Sequence, residues 1–279
     1  MTVTIVGTGL IGGSMALALK EKGIAGKVIG VEANEVHAQQ ALQLGLVDEV
    51  MDLEKALEQS RLIILAIPVN EVEKLLPSVL DKVNKQIVMD VGSIKEGILT
   101  VIKNHPKRSR FVATHPMWGT EYSGPKAAVH GAFSGKATVI CDKNASDEEA
   151  VQLVENIYRQ LGMHLVYMEA AEHDVHVAYV SHISHITSFA LANTVLEKER
   201  EEDAIFELAS AGFESTVRLA KSNAAMWVPV LMQNRENVLD VLNEHLSQLR
   251  KFKACLEKEN AEYLQELIEN ANKIRKIIK

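Results

Sequence analysis

Short β-branched runs alternate with amphipathic stretches up to about Met168. Runs at 2–6, 27–31, 61–67, 86–91, 111–114, 137–141 and 164–168 carry the strand pattern. Between them, stretches at about 10–22, 34–44, 70–82, 95–104 and 146–161 carry the helical one. Such alternation predicts an α/β fold with a mostly parallel sheet covered on both faces. From Glu169 onward the strand signals stop, and four helices are expected at about 170–196, 201–221, 223–257 and 259–278. Ser222 and Asn223 offer capping chemistry for the third, and Pro229 falls early enough in it to be tolerated or to kink it. At about 35 residues that helix outruns the needs of a compact monomer and points to packing against a partner chain.

The first strand run ends in Gly7-Thr8-Gly9-Leu10-Ile11-Gly12, and a helical stretch follows at once. Gly7 permits a tight turn, Gly9 lets backbone approach a pyrophosphate, and Gly12 lets the helix lie close to the strand. The amides of Leu10 and Ile11 then open a helix whose dipole favours negative charge. The second strand, 27–31, ends at Glu32, roughly 20 residues on, where an acid can accept both ribose hydroxyls of a dinucleotide. A carboxylate there repels a 2′-phosphate, and neither Ala33 nor Asn34 supplies a counter-charge. The cofactor read from these residues is NAD, not NADP. Pro68, after the run 62–67, falls at a strand's C-terminal edge, where the adenine-side loops of such folds lie. The architecture expected is a doubly wound Rossmann-type domain over 1–168, followed by an all-helical domain over 169–279.

Composition narrows the partners. With 37 acidic and 30 basic residues the net charge is −7, which disfavours nucleic acid. The basic stretch from Lys273 to Lys279 reads as cations at a helix C-terminus. Cys141 and Cys255 lack metal spacing and fit a reducing cytoplasm without disulfides. The chain opens directly into a strand, and no apolar run approaches membrane-spanning length, so neither a signal peptide nor a membrane is expected.

The candidate chemistry starts at His115-Pro116-Met117-Trp118-Gly119-Thr120-Glu121, read as a loop directly after the run 111–114. A titratable pair at a strand end of an open sheet suggests an acid–base group. On the first helix of the second half, Val175, Ala178, His182, His185 and Phe189 fall on one stripe at helical spacing. Three readings fit the two histidines: an i,i+3 metal pair, which lacks a nearby acid; a buried polar network; or a clamp on an anionic or hydroxylated substrate. Arg218 suits bidentate carboxylate recognition, or an intrahelical pair with Glu214. Ser93 can donate to a ligand or cap the helix near Lys95. Trp227 and Tyr179 read as helix-packing residues.

Together these segments resemble the prephenate dehydrogenase family. The resemblance rests on Gly7 to Ser14, Asp90-Val91-Gly92-Ser93-Ile94-Lys95, the His115 loop, Glu172-His173-Asp174, Ser181 to His185, and Arg218 followed by Met226-Trp227. Trp118 stands where the family more usually has alanine, and Ser184 where proline often separates the histidines. The resemblance implies NAD-dependent oxidative decarboxylation of prephenate in tyrosine biosynthesis. It makes His115 the base and has Ser93 orient it or the substrate hydroxyl. It gives Arg218 a substrate carboxylate, puts Glu121 beside Arg218, sets His182 and His185 at the substrate, and places His173 behind them. Trp118 would narrow the pocket. It also implies a homodimer through the helical domain. The rival readings are an arogenate dehydrogenase, a β-hydroxyacid dehydrogenase using Lys221, and a non-catalytic NAD-sensing regulator. No regulatory domain is expected after the fourth helix, so tyrosine inhibition would act at the active site or the dimer interface.

Overall fold

The computed structural model describes residues 1–199 and 205–277. The opening of the helix expected at 201–221 therefore lies outside the described residues, as do the last two residues of the basic end. Packing divides the chain into two compact units, Met1–Asn234 and Arg235–Lys279.

The first unit is built on eight strands: β1 (Thr2–Val6), β2 (Lys27–Val31), β3 (Glu49–Val50), β4 (Leu62–Leu65), β5 (Ile87–Asp90), β6 (Phe111–Pro116), β7 (Ala137–Cys141) and β8 (His164–Met168). They lie in the order β3-β2-β1-β4-β5-β6-β7-β8. All neighbouring pairs are parallel except β6–β7. The reversal at β1, where the order turns from descending to ascending, opens a crevice at the strand C-termini, and ligands of open α/β sheets bind there.

Strand periodicity assigns alternate side chains to opposite faces, and both faces are buried. Val3, Ile5, Leu62, Ile64, Met89, Val112 and Ile140 join one cluster. Its cover comes from α1 (Leu10–Glu21), α2 (Glu35–Gln43) and α6 (Glu148–Gln160), through Met15, Leu19, Ala41, Val154 and Tyr158. Val6, Ile63, Leu65, Val88, Phe111, Ala113 and Val139 join the other. There α3 (Leu53–Gln59), α4 (Val69–Lys82) and α5 (Glu96–Val101) close the core, through Leu57, Val72, Leu76 and Ile98. Trp227 and Val230 of α10 (Ala224–Gln233) complete this second cluster. A hydrogen bond of 2.6 Å from Gln233 to Glu73 fastens α10 to α4.

Three local features depart from the sequence reading. β3 and α3 appear in the segment 45–60, whose two-residue strand is too short to leave a periodic signal. The helix expected from 170 continues through α7 (Ala170–Val177), a π turn over Ala178–His182 and α8 (Ile183–Glu199). The helix expected over 223–257 breaks at Asn234 into α10 and α11 (Arg235–Glu257). Asn234 leaves helical geometry (φ −102°, ψ 27°) because its buried amide is drawn away to side-chain and carbonyl partners described below. Asn223 does cap α10, accepting from the Ala225 amide at 2.8 Å.

In the second unit α11 packs against α12 (Ala261–Ala271), which Asn260 caps by accepting from the Tyr263 amide at 3.0 Å. Among the described residues no helix is long and apolar enough to cross a membrane.

Candidate active site

Two groups of residues meet the strand C-termini of the first unit. The first is the turn from β1 into α1. Gly7 adopts φ +90°, and a Cβ there would lie 2.6 Å from the Ala66 carbonyl oxygen on the neighbouring β4 loop. A Cβ at Gly12 would lie 1.9 Å from the Gly7 carbonyl oxygen, so only glycine lets the helix start so close to the strand. Gly9 has open space around it instead, so no protein neighbour explains its lack of a side chain. Leu10 and Ile11 begin α1, whose first-turn amides have no capping side chain. Glu32, at the end of β2, is locked onto this turn. Its Oε2 accepts from the Thr8 amide at 2.9 Å and the Thr8 hydroxyl at 3.0 Å, and its Oε1 accepts from the Asn34 amide at 3.2 Å. Pro68 sits at the start of α4, on the loop that follows β4. Bare amides, a cradle that a Cβ would fill and an oriented carboxylate fit a dinucleotide.

The second group centres on His115. It is not on a loop, as the sequence suggested, but in β6, paired with Val139 of β7. The antiparallel ladder to β7 carries the strand past the C-terminus of its β5 partner. His115 Nδ1 lies 2.9 Å from His173 Nε2, and His173 Nδ1 lies 2.7 Å from Asp174 Oδ1. Asp174 also accepts from the amides of Lys95 and Glu96, each at 2.8 Å. These amides open α5, so Asp174, and not Ser93, satisfies the start of that helix. The Ser93 hydroxyl, on the loop after β5, has no partner among the described residues. Beneath the site Lys95 and Asp90 form a fully buried ion pair. Asp90 accepts in addition from the amides of Gly92 (2.9 Å) and Thr114 (3.1 Å), which joins the ends of β5 and β6.

His182 is 1% exposed, and its Nδ1 lies 3.2 Å from the amide nitrogen of Asn234, which also donates to the Asp174 carbonyl at 2.7 Å. The π turn makes this possible. Nine residues of α-helix would put His173 and His182 about 180° apart, whereas one extra residue in a turn reduces the difference to about 80°. His185 stacks on Trp227 with centroids 3.5 Å apart, and His182 meets the same indole edge-on at 5.9 Å. Trp227 thus orders both histidines as well as packing. Val175, expected on their stripe, is exposed because the extra residue shifts the helix face.

Burial pushes the His115 imidazole well below its ordinary pKa, and the nearby His173, Lys95 and His182 add to the effect. Burial also lowers His182 to about 4, Asp174 opposing, and it lowers His185, with Arg218 contributing. All three rings are therefore neutral at pH 7. Arg218, in the turn after α9 (Ala211–Val217), pairs not with Glu214 but with Glu121, Nη1 to Oε2 at 2.6 Å. Glu214 faces Lys221 at 3.9 Å instead. The segment carrying Glu121 is stitched to the nucleotide turn, since the Val129 amide donates to the Ser14 hydroxyl at 2.9 Å. Trp118 is partly buried and packs edge-on against Phe133. No group of histidine, cysteine or carboxylate side chains among the described residues is arranged to hold a metal.

Two domain models match this chain: the nucleotide-binding domain of prephenate dehydrogenase over residues 15–167, and its dimerization domain over 169–270. The chain belongs to the prephenate dehydrogenase family. Prephenate dehydrogenase of Bacillus subtilis is 30% identical over 98% of this chain and 75% of its own length. The crystal structure of prephenate dehydrogenase from Aquifex aeolicus, in complex with hydroxyphenyl propionate and NAD+, matches with a TM-score of 0.91. Identity to it is 28%, with 100% of this chain and 98% of that one covered. Synechocystis arogenate dehydrogenase matches with a TM-score of 0.76 at 25% identity, with both chains fully covered.

Membership of this family makes the chain a dehydrogenase with a nucleotide-binding domain. Three of its polar residues at the site carry no role in the sequence reading: Lys95, Asp174 and Asn234. Lys95 and Asp174 had a signal only as members of the motifs Asp90 to Lys95 and Glu172-His173-Asp174. Asn234 had none, and only its burial singles it out.

Proposed function

We propose that this chain oxidatively decarboxylates prephenate to 4-hydroxyphenylpyruvate, for tyrosine biosynthesis, with NAD as cofactor. The observation that carries the reading is a neutral, half-buried histidine at the end of β6, followed on the same segment by Glu121, which anchors the Arg218 guanidinium. NAD, when bound in the glycine cradle, supplies the hydride acceptor. Its phosphates suit the α1 amides, and its ribose hydroxyls suit Glu32. Residues 1–168 form the NAD-binding part in this reading, and 169–279 the substrate and dimerisation part.

Prephenate carries a ring hydroxyl and, on the opposite ring carbon, a carboxylate that leaves as carbon dioxide. Neutral His115 accepts the hydroxyl proton, and Ser93 on the adjoining strand end orients the hydroxyl. Only one Arg218 nitrogen contacts Glu121, so the guanidinium retains further donors for a substrate carboxylate. His182 and His185, ordered by Trp227, border the side-chain end, and Trp118 limits the pocket behind its loop. Formation of the aromatic ring drives the reaction, so the protein has mainly to orient the substrate and take one proton.

Arogenate differs by an ammonium in place of the keto group. Of the carboxylates near the histidines, Glu121 is held by Arg218, and Asp174 is filled by two amides and His173. An ammonium finds no free charge there, and a polar mismatch of this kind is worth a few kcal/mol, roughly a hundredfold in discrimination. Steady-state NADH formation on the two substrates tests this. We expect kcat/KM to be larger for prephenate, and a larger value for arogenate overturns the substrate assignment.

We also propose a homodimer, supported by the exposed Leu239, Leu246, Leu249 and Leu256 along α11. Sedimentation at micromolar concentration should give twice the chain mass. Two free, buried cysteines and a small soluble substrate agree with a cytoplasmic enzyme.

A further inference from the structure

With Asp174 ionised and both rings neutral, the hydrogen bonds behind His115 form a chain with one satisfactory arrangement of protons. Asp174 is 3% exposed, and its carboxylate faces two backbone amides, which can only donate. An ionised carboxylate accepts from both and still has a lone pair for His173 Nδ1, which shares Oδ1 with the Lys95 amide. His173 Nδ1 therefore carries hydrogen. A neutral imidazole has one N–H, so His173 Nε2 accepts, and its partner at 2.9 Å, His115 Nδ1, must donate.

We propose that His173 and Asp174 are a positioning dyad that fixes the tautomer of His115, leaving its Nε2 bare as the nitrogen that takes the substrate proton. The proposal rests on the reading of His115 as the base, and adds which atom acts and what holds it. The ionisable groups around His115 come from every side. His173 and Asp174 come from α7, His182 from the π turn, and Lys95, paired with Asp90 of β5, from the segment before α5. Of these, only His173 touches the His115 ring nitrogen within hydrogen-bond distance. When Nε2 gains the hydroxyl proton, His115 becomes an imidazolium whose Nδ1–H already points at a lone pair. The positive charge is stabilised through His173 by the Asp174 carboxylate, and no further proton has to enter or leave the buried chain. Protonating His173 beforehand reverses the contact: its Nε2 then donates, His115 Nδ1 accepts, and the proton of His115 moves to Nε2, where it blocks the base.

Asp174→Asn makes the same reversal at neutral pH. Its carboxamide nitrogen, set toward His173 and away from the Glu96 amide, presents an N–H to His173 Nδ1, which then accepts, and each tautomer down the chain inverts. Set the other way, the carboxamide still lacks the charge that stabilises the imidazolium. We expect kcat to fall by roughly 10²–10⁴-fold, the scale seen when a histidine base is held in the wrong tautomer. The dissociation constant for NAD should stay within about twofold of the wild type, since the glycine cradle is untouched. Histidine ¹⁵N NMR reads the tautomer directly. His115 Nε2 should be the unprotonated nitrogen in the wild type, and Nδ1 in the variant.

His173→Gln and His173→Leu give an independent arm. A glutamine amide can donate to Asp174 and accept from His115, so it should keep far more activity than leucine, which can do neither. A wild-type spectrum with Nε2 protonated overturns the proposal, as does equal activity of the Gln and Leu variants. Full activity in a folded Asp174→Asn protein overturns it too. The base reading fails separately: His115→Asn that stays active removes the base. His115→Asn inactive with Asp174→Asn fully active removes only the dyad. If Asp174→Asn does not fold, the wild-type spectrum and the His173 pair still decide.

Discussion

The glycine cradle at β1 and the histidine pocket at β6 open on the same edge of one sheet, yet they are assembled by opposite means. The cradle is mostly local and made largely of backbone: the carboxylate that locks it, Glu32, reaches Thr8 across only 24 residues. The pocket is made of side chains brought from afar, with separations of 58 residues for His115–His173, 52 for His182–Asn234 and 97 for Glu121–Arg218. A backbone site tolerates change at most positions and fails at a few where a Cβ collides. A side-chain site depends on the whole packing that delivers each group. Substitutions in the two regions should therefore fail differently, one in cofactor terms and the other in substrate and proton terms.

The largest effect expected is at His115. His115→Asn should lower kcat by roughly 10²–10⁴-fold while NAD binding stays near normal, which equilibrium binding and turnover together would separate. In the wild type, kcat/KM should fall only well below pH 6.5, because the folded imidazole is depressed and stays neutral until the medium is more acidic. An acid limb centred at 6.5 or above would contradict the buried environment. If His115→Asn weakens NAD binding as much as turnover, the two regions are one site energetically, and the comparison collapses.

Arg218→Ala comes next. Loss of a charged hydrogen bond to a carboxylate is worth about 1.5–3 kcal/mol, so KM should rise by roughly 10–100-fold with a smaller change in kcat. Glu121→Gln sharpens the reading: if Glu121 only orients Arg218, its KM effect should be the smaller one. Both variants should leave NAD affinity alone.

The smallest effect, and the one confined to the cradle, is at Glu32. Glu32→Ser removes the carboxylate that repels a 2′-phosphate, so the NAD preference over NADP should shrink, by roughly tenfold, through better use of NADP. Equal use of the two cofactors by the wild type would remove the premise. A change in KM for prephenate would show that the separation between regions is incomplete.

The difference in construction also explains what could be read in advance. Gly7, Gly12 and Glu32 announce themselves because a strand, a turn and a helix follow in one short stretch. The positive φ of Gly7 and the contact of Gly12 with the Gly7 carbonyl act within it, although Gly7 also meets Ala66 from the β4 loop. The seven strand runs longer than two residues could be read for the same reason, since alternation in one segment is enough. The pocket was legible as a set of residue types and resemblances, but not as a geometry. Nothing near Asn234 in sequence shows that its amide will be pulled into the core, so the long third helix seemed uninterrupted. The stripe through Val175 assumed regular turns, and the π turn invalidates that count. Arg218 had an adequate partner four residues away, and only the fold reveals the better one on the β6 loop.

The π turn at Ala178–His182 has a consequence for the length of the chain. A turn with a surplus residue makes register, not composition, the fragile property of this helix. Removing one residue within the turn should let the backbone relax to regular α-helix while His173 and His182, then eight residues apart, keep their difference of about 80°. His185 would stay on Trp227. Adding one residue should instead swing everything beyond it by about 100°, and His185 would leave Trp227 although neither residue had changed. This stretch should therefore accept a single-residue deletion, and substitution at exposed Val180, but no single-residue insertion.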